Sequence, residues 1–126
     1  MIVVDTSAIV AILEQEPEAE RFLQALLAAE LPVMSAATLV ELSAVMIRKR
    51  GEAAGQIVDR LLAAVGVQIE PLTHDQALLA REAYRRFSSL NFGDCFAYAL
   101  AQDKAAPLLY KGNDFGQTDV RAALPA

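Results

Sequence analysis

With 126 residues, 55% hydrophobic content and a net charge of −5, the chain is long enough for one well-formed core and is expected to be a single domain over residues 1–126. No apolar run approaches the ~18 to 20 residues a bilayer crossing needs, and no basic residue precedes the apolar N-terminus as in a signal peptide, so no membrane partner and a cytoplasmic location are expected. One histidine, His74, and one cysteine, Cys95, exclude an internal disulfide framework and a His/Cys zinc site, which leaves oxygen-ligated hard cations such as magnesium or manganese.

Met1 to Val4 is continuously apolar, the pattern of a strand buried on both faces of a parallel sheet, and Asp5 stands at its C-terminal tip. In open α/β sheets the ligand crevice lies outside such tips. Asp5 is also open to reading as the N-cap of a helix from Thr6 to about Leu13. Pro17 opens a second helix with Phe22, Leu23, Leu26 and Leu27 on one face. Leu31 to Met34 is a short strand, Ser35 caps a helix over Ala36 to about Arg50, and Gly51 closes it. Glu41 lies mid-helix among Leu39, Val40, Leu42, Val45, Met46 and Ile47. The next helix, Ala53 to Val65, has Ile57, Val58, Leu61, Leu62 and Val65 as its core stripe, with Gly66 past its end.

Val67 to Glu70 alternates as a third strand, half covered or at an edge. Thr73 and Gln76 make a capping box that starts a helix to about Phe87. After the link Ser88-Ser89-Leu90, Asn91-Phe92-Gly93-Asp94 opens an almost wholly apolar helix through Ala101. Pro107 to Tyr110 is a fourth strand, followed by the turn-rich Lys111-Gly112-Asn113-Asp114-Phe115-Gly116, and the tail from Thr118 adds a short edge strand or helical turn. Alternation of strands and helices predicts a three-layer α/β/α domain with a mainly parallel central sheet of four to five strands.

Four carboxylates stand where a carboxylate is expensive unless compensated: Asp5 after a buried strand, Glu41 in an apolar helix, Asp94 in the first turn of a buried helix, and Asp114 in the loop after a strand. Neither Glu41 nor Asp94 has a cation three or four residues away, so a distant Lys or Arg, protonation or a metal must supply the balance. Each also has an ordinary reading. Asp94 fits the third position of an Asn91 cap, Glu41 a solvent strip, Asp114 a turn, and Asp119 the cap of a last turn. Together they suggest convergent oxygen ligands at the C-terminal edge of the sheet for one or two magnesium or manganese ions, the arrangement that activates water in phosphodiester cleavage. The net acidity argues at first against a polyanionic partner. With those four and Asp119 set aside, eleven acidic residues face eleven basic ones, and the acidity becomes local.

Asp5-Thr6-Ser7-Ala8, Glu41 in its helix, the stretch from Asn91 to Ala101, and Lys111-Gly112-Asn113-Asp114-Phe115 resemble, in order, the motifs of the PIN-domain ribonucleases, above all the VapC toxins of bacterial type II toxin–antitoxin modules. The resemblance implies a PIN-like fold and a magnesium-dependent endoribonuclease (manganese being the alternative ion) that cleaves RNA such as tRNA or rRNA, forms a homodimer and is inhibited by a VapB-type antitoxin. It matches Asp5, Glu41, Asp94 and Asp114 to the catalytic acidic quartet, with Asp5 and Asp94 binding metal. Thr6 or Ser7 supports Asp5, and Asp119 is a further acidic group. Many relatives carry a Gly/Arg/His-rich loop before the Asn-Phe-Gly-Asp motif, whereas Phe87-Ser88-Ser89-Leu90 is short and uncharged here. That departure keeps open a domain with weak or no catalysis that binds antitoxin and dimerises.

Arg85, Arg86 and Lys111 are the candidate contacts to an RNA backbone, while Arg48, Lys49 and Arg50 equally suit a helix C-terminus. Phe92, Phe96 and Tyr98 read as core, and His74 as surface. Cys95 has no adjacent base to make it a nucleophile. An aspartyl phosphotransferase reading of Asp5 needs an aspartate two residues on, where Ser7 stands.

Overall fold

In the computed structural model, which describes residues 1–125, the apolar strands and the helices between them build three layers. β1 (Ile2–Val4), β2 (Pro32–Ser35), β3 (Gln68–Glu70) and β4 (Leu108–Leu109) form one sheet in the order β3-β2-β1-β4, every neighbouring pair parallel. β1 is flanked on both sides, with Val3 opposite Val33 in β2 and Leu108 in β4. Successive side chains of a strand point to opposite faces. Ile2, Val4, Met34 and Leu109 therefore share one core with α1 (Thr6–Leu13), α2 (Ala19–Ala28), α3 (Ala36–Arg50) and α4 (Ala54–Ala64). Val3, Val33 and Leu108 share the other with α5 (His74–Arg86) and α6 (Asp94–Lys104). This is why β1 and β4 are apolar throughout, while the edge strand β3, Gln68-Ile69-Glu70, alternates.

From Thr118 the tail adds an edge bridge, Ala122 parallel to Leu108, in place of a full fifth strand, while a 3-10 turn over Phe115–Gln117 precedes it in the loop after β4. Several expectations change. Pro17 does not open α2: Gln15 has φ +54°, the chain reverses there, and the helix starts at Ala19, whose N–H donates to the Glu16 carbonyl. Gln76 does not return the Thr73 cap. Its N–H donates to Thr73 Oγ1 at 3.1 Å, but its buried side chain donates to Asp103 Oδ2 at 3.0 Å. Leu27, Val40, Ile47 and Ile57 face outward, and Phe92 is 73% exposed rather than core, its ring edge-on to the half-buried Phe96. Tyr98 is buried as expected, and His74 is exposed.

Candidate metal centre

Because all strands are parallel, their C-terminal ends meet at one edge, and a cleft of about 440 Å³ opens there, lined among others by Asp5, Glu41, Asp94 and Asp114. β1 delivers Asp5, α3 delivers Glu41, the start of α6 delivers Asp94, and the loop after β4 delivers Asp114.

Asp5 both caps α1 and lines the cleft. Its Oδ2 accepts from Ser7 N–H at 3.0 Å and from Ser7 Oγ at 2.6 Å, which caps α1. Its Oδ1 is buried and has no hydrogen-bond partner. An orphaned carboxylate oxygen is costly in a dry site, and burial followed by repulsion from Glu41 raises the Asp5 pKa to about 6 in spite of the two Ser7 bonds. Ser7 Oγ in turn accepts from Lys111 N–H at 2.9 Å, which ties the end of β1 to the loop after β4.

Asp94 also caps: Asn91 N–H donates to its Oδ2 at 3.0 Å and its own N–H donates to Asn91 Oδ1 at 2.8 Å, a reciprocal pair that fixes the entry into α6. Burial, then the negative charge of Asp5, Asp114 and Glu41, raises its pKa to about 7. Glu41 is held from α1, where Thr6 Oγ1 donates to Oε1 at 2.5 Å. The hydroxyl expected to support Asp5 is thus Ser7's alone, with Thr6 serving Glu41. Asp114 is exposed, and its carbonyl accepts from Ser89 Oγ at 2.7 Å, so the short link before α6 steadies the loop that carries it.

Among the described residues no basic side chain pairs with any of these four carboxylates. Nor, among the described residues, do any three His, Cys, Asp or Glu side chains stand together closely enough to hold a metal ion as placed. A cluster of oxygen donors with one orphaned oxygen, too open for a full protein cage, suits a hard divalent cation that keeps part of its water shell. Asp119 does not line the cleft. It accepts from Tyr98 Oη at 2.5 Å and lies 3.7 Å from Arg86, because the tail carries it one to two turns further along α6.

The basic candidates are all occupied. Arg85 is bound to Glu82, Arg86 lies 4.7 Å over the Phe87 ring and near Asp119, and Lys111 Nζ donates to Glu16 at 2.8 Å and lies 3.2 Å from Glu18. Arg50 is likewise bound, to Glu14. Cys95, in the first turn of α6, is buried with its thiol pushed up to about 11, chiefly by burial and then by Asp94, so it supplies no thiolate. Sequence reasoning missed Glu16 and Glu18 as partners of Lys111, since nothing local signals a contact across some ninety residues.

The PIN domain family model matches residues 2–121. Among curated proteins, Ribonuclease VapC28 of Mycobacterium tuberculosis is 44% identical over 129 residues, 97% of each chain. Among solved structures, that of VapC20 from the same organism, described as a sarcin-ricin loop cleaving toxin, is similar with a TM-score of 0.76 and 21% identity over 96% of this chain and 99% of its own. VapBC2 from Rickettsia felis, bound to a DNA fragment from its promoter, gives a TM-score of 0.73 at 17% identity over 97% of this chain and 96% of the other. At those identities the two structures bear on the fold, which they share across nearly the whole chain.

Proposed function

Because the chain belongs to the PIN domain family, and within it to the VapC ribonucleases, we propose that it is the endoribonuclease toxin of a type II toxin–antitoxin module, hydrolysing RNA with a divalent cation held by Asp5 and Asp94. The observation that carries this reading is the buried, unpartnered Oδ1 of Asp5 in a cleft shared with three further carboxylates that no basic residue neutralises. Magnesium, with manganese as substitute, is the proposed ion; when bound it would activate a water and offset charge growing on the phosphoryl oxygens.

The chain's own residues do the rest. Ser7 fixes the Asp5 carboxylate and Asn91 that of Asp94, so neither has to be ordered when substrate arrives. Glu41, with Oε1 engaged by Thr6, has Oε2 with which to orient the attacking water, and Asp114 completes the acidic set from its looser turn. No side chain attacks the phosphorus. Arg85, Arg86 and Lys111 are the proposed RNA-backbone contacts, each exchanging a carboxylate partner for a phosphate. The proposed substrate is tRNA or rRNA, and the proposed partners are a VapB-type antitoxin and a second copy of the chain. The proposed location is the cytoplasm; among the described residues no helix is long and apolar enough to cross a membrane.

The test is cleavage of mixed tRNA and rRNA by antitoxin-free protein with magnesium, with chelator, and by Asp94→Asn. Cuts at discrete positions that need both the metal and Asp94 are expected. Folded wild-type protein no more active than Asp94→Asn at every magnesium and manganese concentration overturns the nuclease and leaves antitoxin binding as the role.

A further inference from the structure

Gly93 stands in the turn before α6 with φ −65° and ψ −36°, ordinary right-handed backbone open to any residue. Nothing in its conformation asks for glycine. Gly51, Gly66 and Gly112 show the opposite pattern, with φ of +90°, +76° and +100° and open space where a Cβ would go. What asks for glycine at 93 is Glu41: a Cβ there would stand 1.7 Å from Oε2, 2.3 Å from Cδ and 3.0 Å from Oε1. Thr6 Oγ1 holds Oε1 from the other side at 2.5 Å. The carboxylate therefore lies between a hydroxyl on α1 and a bare Cα at the mouth of α6.

We propose that Gly93 is a positioning residue for the candidate metal centre: the absence of its side chain lets Glu41 reach from α3 to the entrance of α6, one residue from Asp94. The proposal rests on the nuclease reading above for its functional meaning. The clash a side chain would cause is with the end of a flexible glutamate, not with backbone, so it is relieved when Glu41 rotates away and both helices stay in place. Fold and site thus separate at this position. Aspartate at 41, one methylene shorter, draws the carboxylate back from residue 93.

The experiment compares wild type, Gly93→Ala, Glu41→Ala, Glu41→Asp and the double variants Gly93→Ala/Glu41→Ala and Gly93→Ala/Glu41→Asp. Manganese binding is read by calorimetry, melting temperature by circular dichroism, and the hydrogen-bonded contact of the Thr6 hydroxyl with the Glu41 carboxylate by NMR in metal-free protein. Expected are an unchanged melting temperature, loss of the Glu41–Thr6 contact, and a fall in manganese affinity of about ten- to a hundredfold in Gly93→Ala. Adding Glu41→Ala should cost nothing more, and adding Glu41→Asp should restore part of the affinity. Persistence of the Glu41–Thr6 contact in Gly93→Ala, or manganese affinity equal to wild type, overturns the proposal. If wild type binds no manganese while Gly93→Ala still loses the contact, the metal-centre reading falls and the steric role of Gly93 stands.

Discussion

Asp5 and Asp94 are anchored to the backbone of their own segments and are 2% and 7% exposed, whereas Glu41 and Asp114 reach the same cleft from looser supports, one half-buried and one in solvent. The inner pair is placed by the same bonds that cap α1 and α6, so folding the helices builds half of the proposed site. The outer pair depends on one hydroxyl each, Thr6 for the Glu41 carboxylate and Ser89 for the Asp114 carbonyl. The difference separates two jobs: the inner carboxylates are fixed, dry and strained by their charge, and the outer ones are free to adjust to substrate.

The largest effect expected is at the inner pair. Asp94→Asn should lower kcat/KM for RNA by ~10³-fold or more, since it removes one of two proposed cation ligands. The same variant should stabilise the metal-free protein at pH 8 by on the order of 1–3 kcal/mol, read by urea unfolding, because it deletes a carboxylate that burial and three like charges disfavour. A stability loss instead would mean that the charge is compensated in the fold.

The pH dependence sharpens the contrast. Asp5 and Asp94 have folded-state pKa values raised from 3.8 to about 6 and about 7, so the folded protein holds more protons than the unfolded chain between about pH 4 and 7. The stability these protons confer is complete below the unfolded pKa and is lost as pH rises through the folded values. Metal-free protein should therefore be less stable to urea at pH 8 than at pH 4.5, by on the order of 3 kcal/mol, and Asp94→Asn should flatten that slope. Magnesium affinity should run the other way, falling about tenfold per pH unit between pH 7 and 6 as Asp94 protonates and more steeply, towards a hundredfold per unit, below pH 6 as Asp5 follows.

At the outer pair, Asp114→Asn should lower cleavage by roughly tenfold with little change in melting temperature at either pH, since an exposed turn carboxylate carries no burial strain. An effect as large as that of Asp94→Asn would erase the distinction between the halves. The smallest effect is expected for Arg85→Gln. Its guanidinium is exposed and already spends its charge on Glu82, so the dependence of log KM on log salt should drop by less than one unit, measured from 50 to 200 mM salt.

The sequence showed the inner half more clearly than the outer. Asp5 was legible because an uninterrupted apolar run ends on it, and Asp94 because Asn91 and an apolar helix bracket it. The two-faced burial of β1 followed from the same run. Glu41 was legible as an anomaly in an apolar helix, but its partner was not, since Thr6 lies thirty-five positions away and both hydroxyls after Asp5 fit the same local role. Gly93 read only as part of a motif, because its reason is a side chain from another helix. Pro17 misled because a proline suits the first helical turn equally well as the turn before it. Phe92 misled because apolar content marks an outward-facing ring and a core ring alike. Lys111 was read as free for phosphate when two glutamates from the α1–α2 turn already hold it.

The bridge of Ala122 to Leu108 looked minor beside the cleft, but it has a consequence for self-association. Leu108 N–H donates to the Arg121 carbonyl at 2.8 Å and its carbonyl accepts from Ala123 N–H at 2.8 Å, so the last residues cover what would otherwise be the bare rim of the sheet. The opposite rim, β3, is only three residues long. Bare rims recruit strands from other molecules, and trimming the chain at Val120 would open one beside a buried Leu-Leu pair. Covering that rim should guard against fibrous aggregation, and loss of the tail would first be seen as turbidity rather than as a change in chemistry.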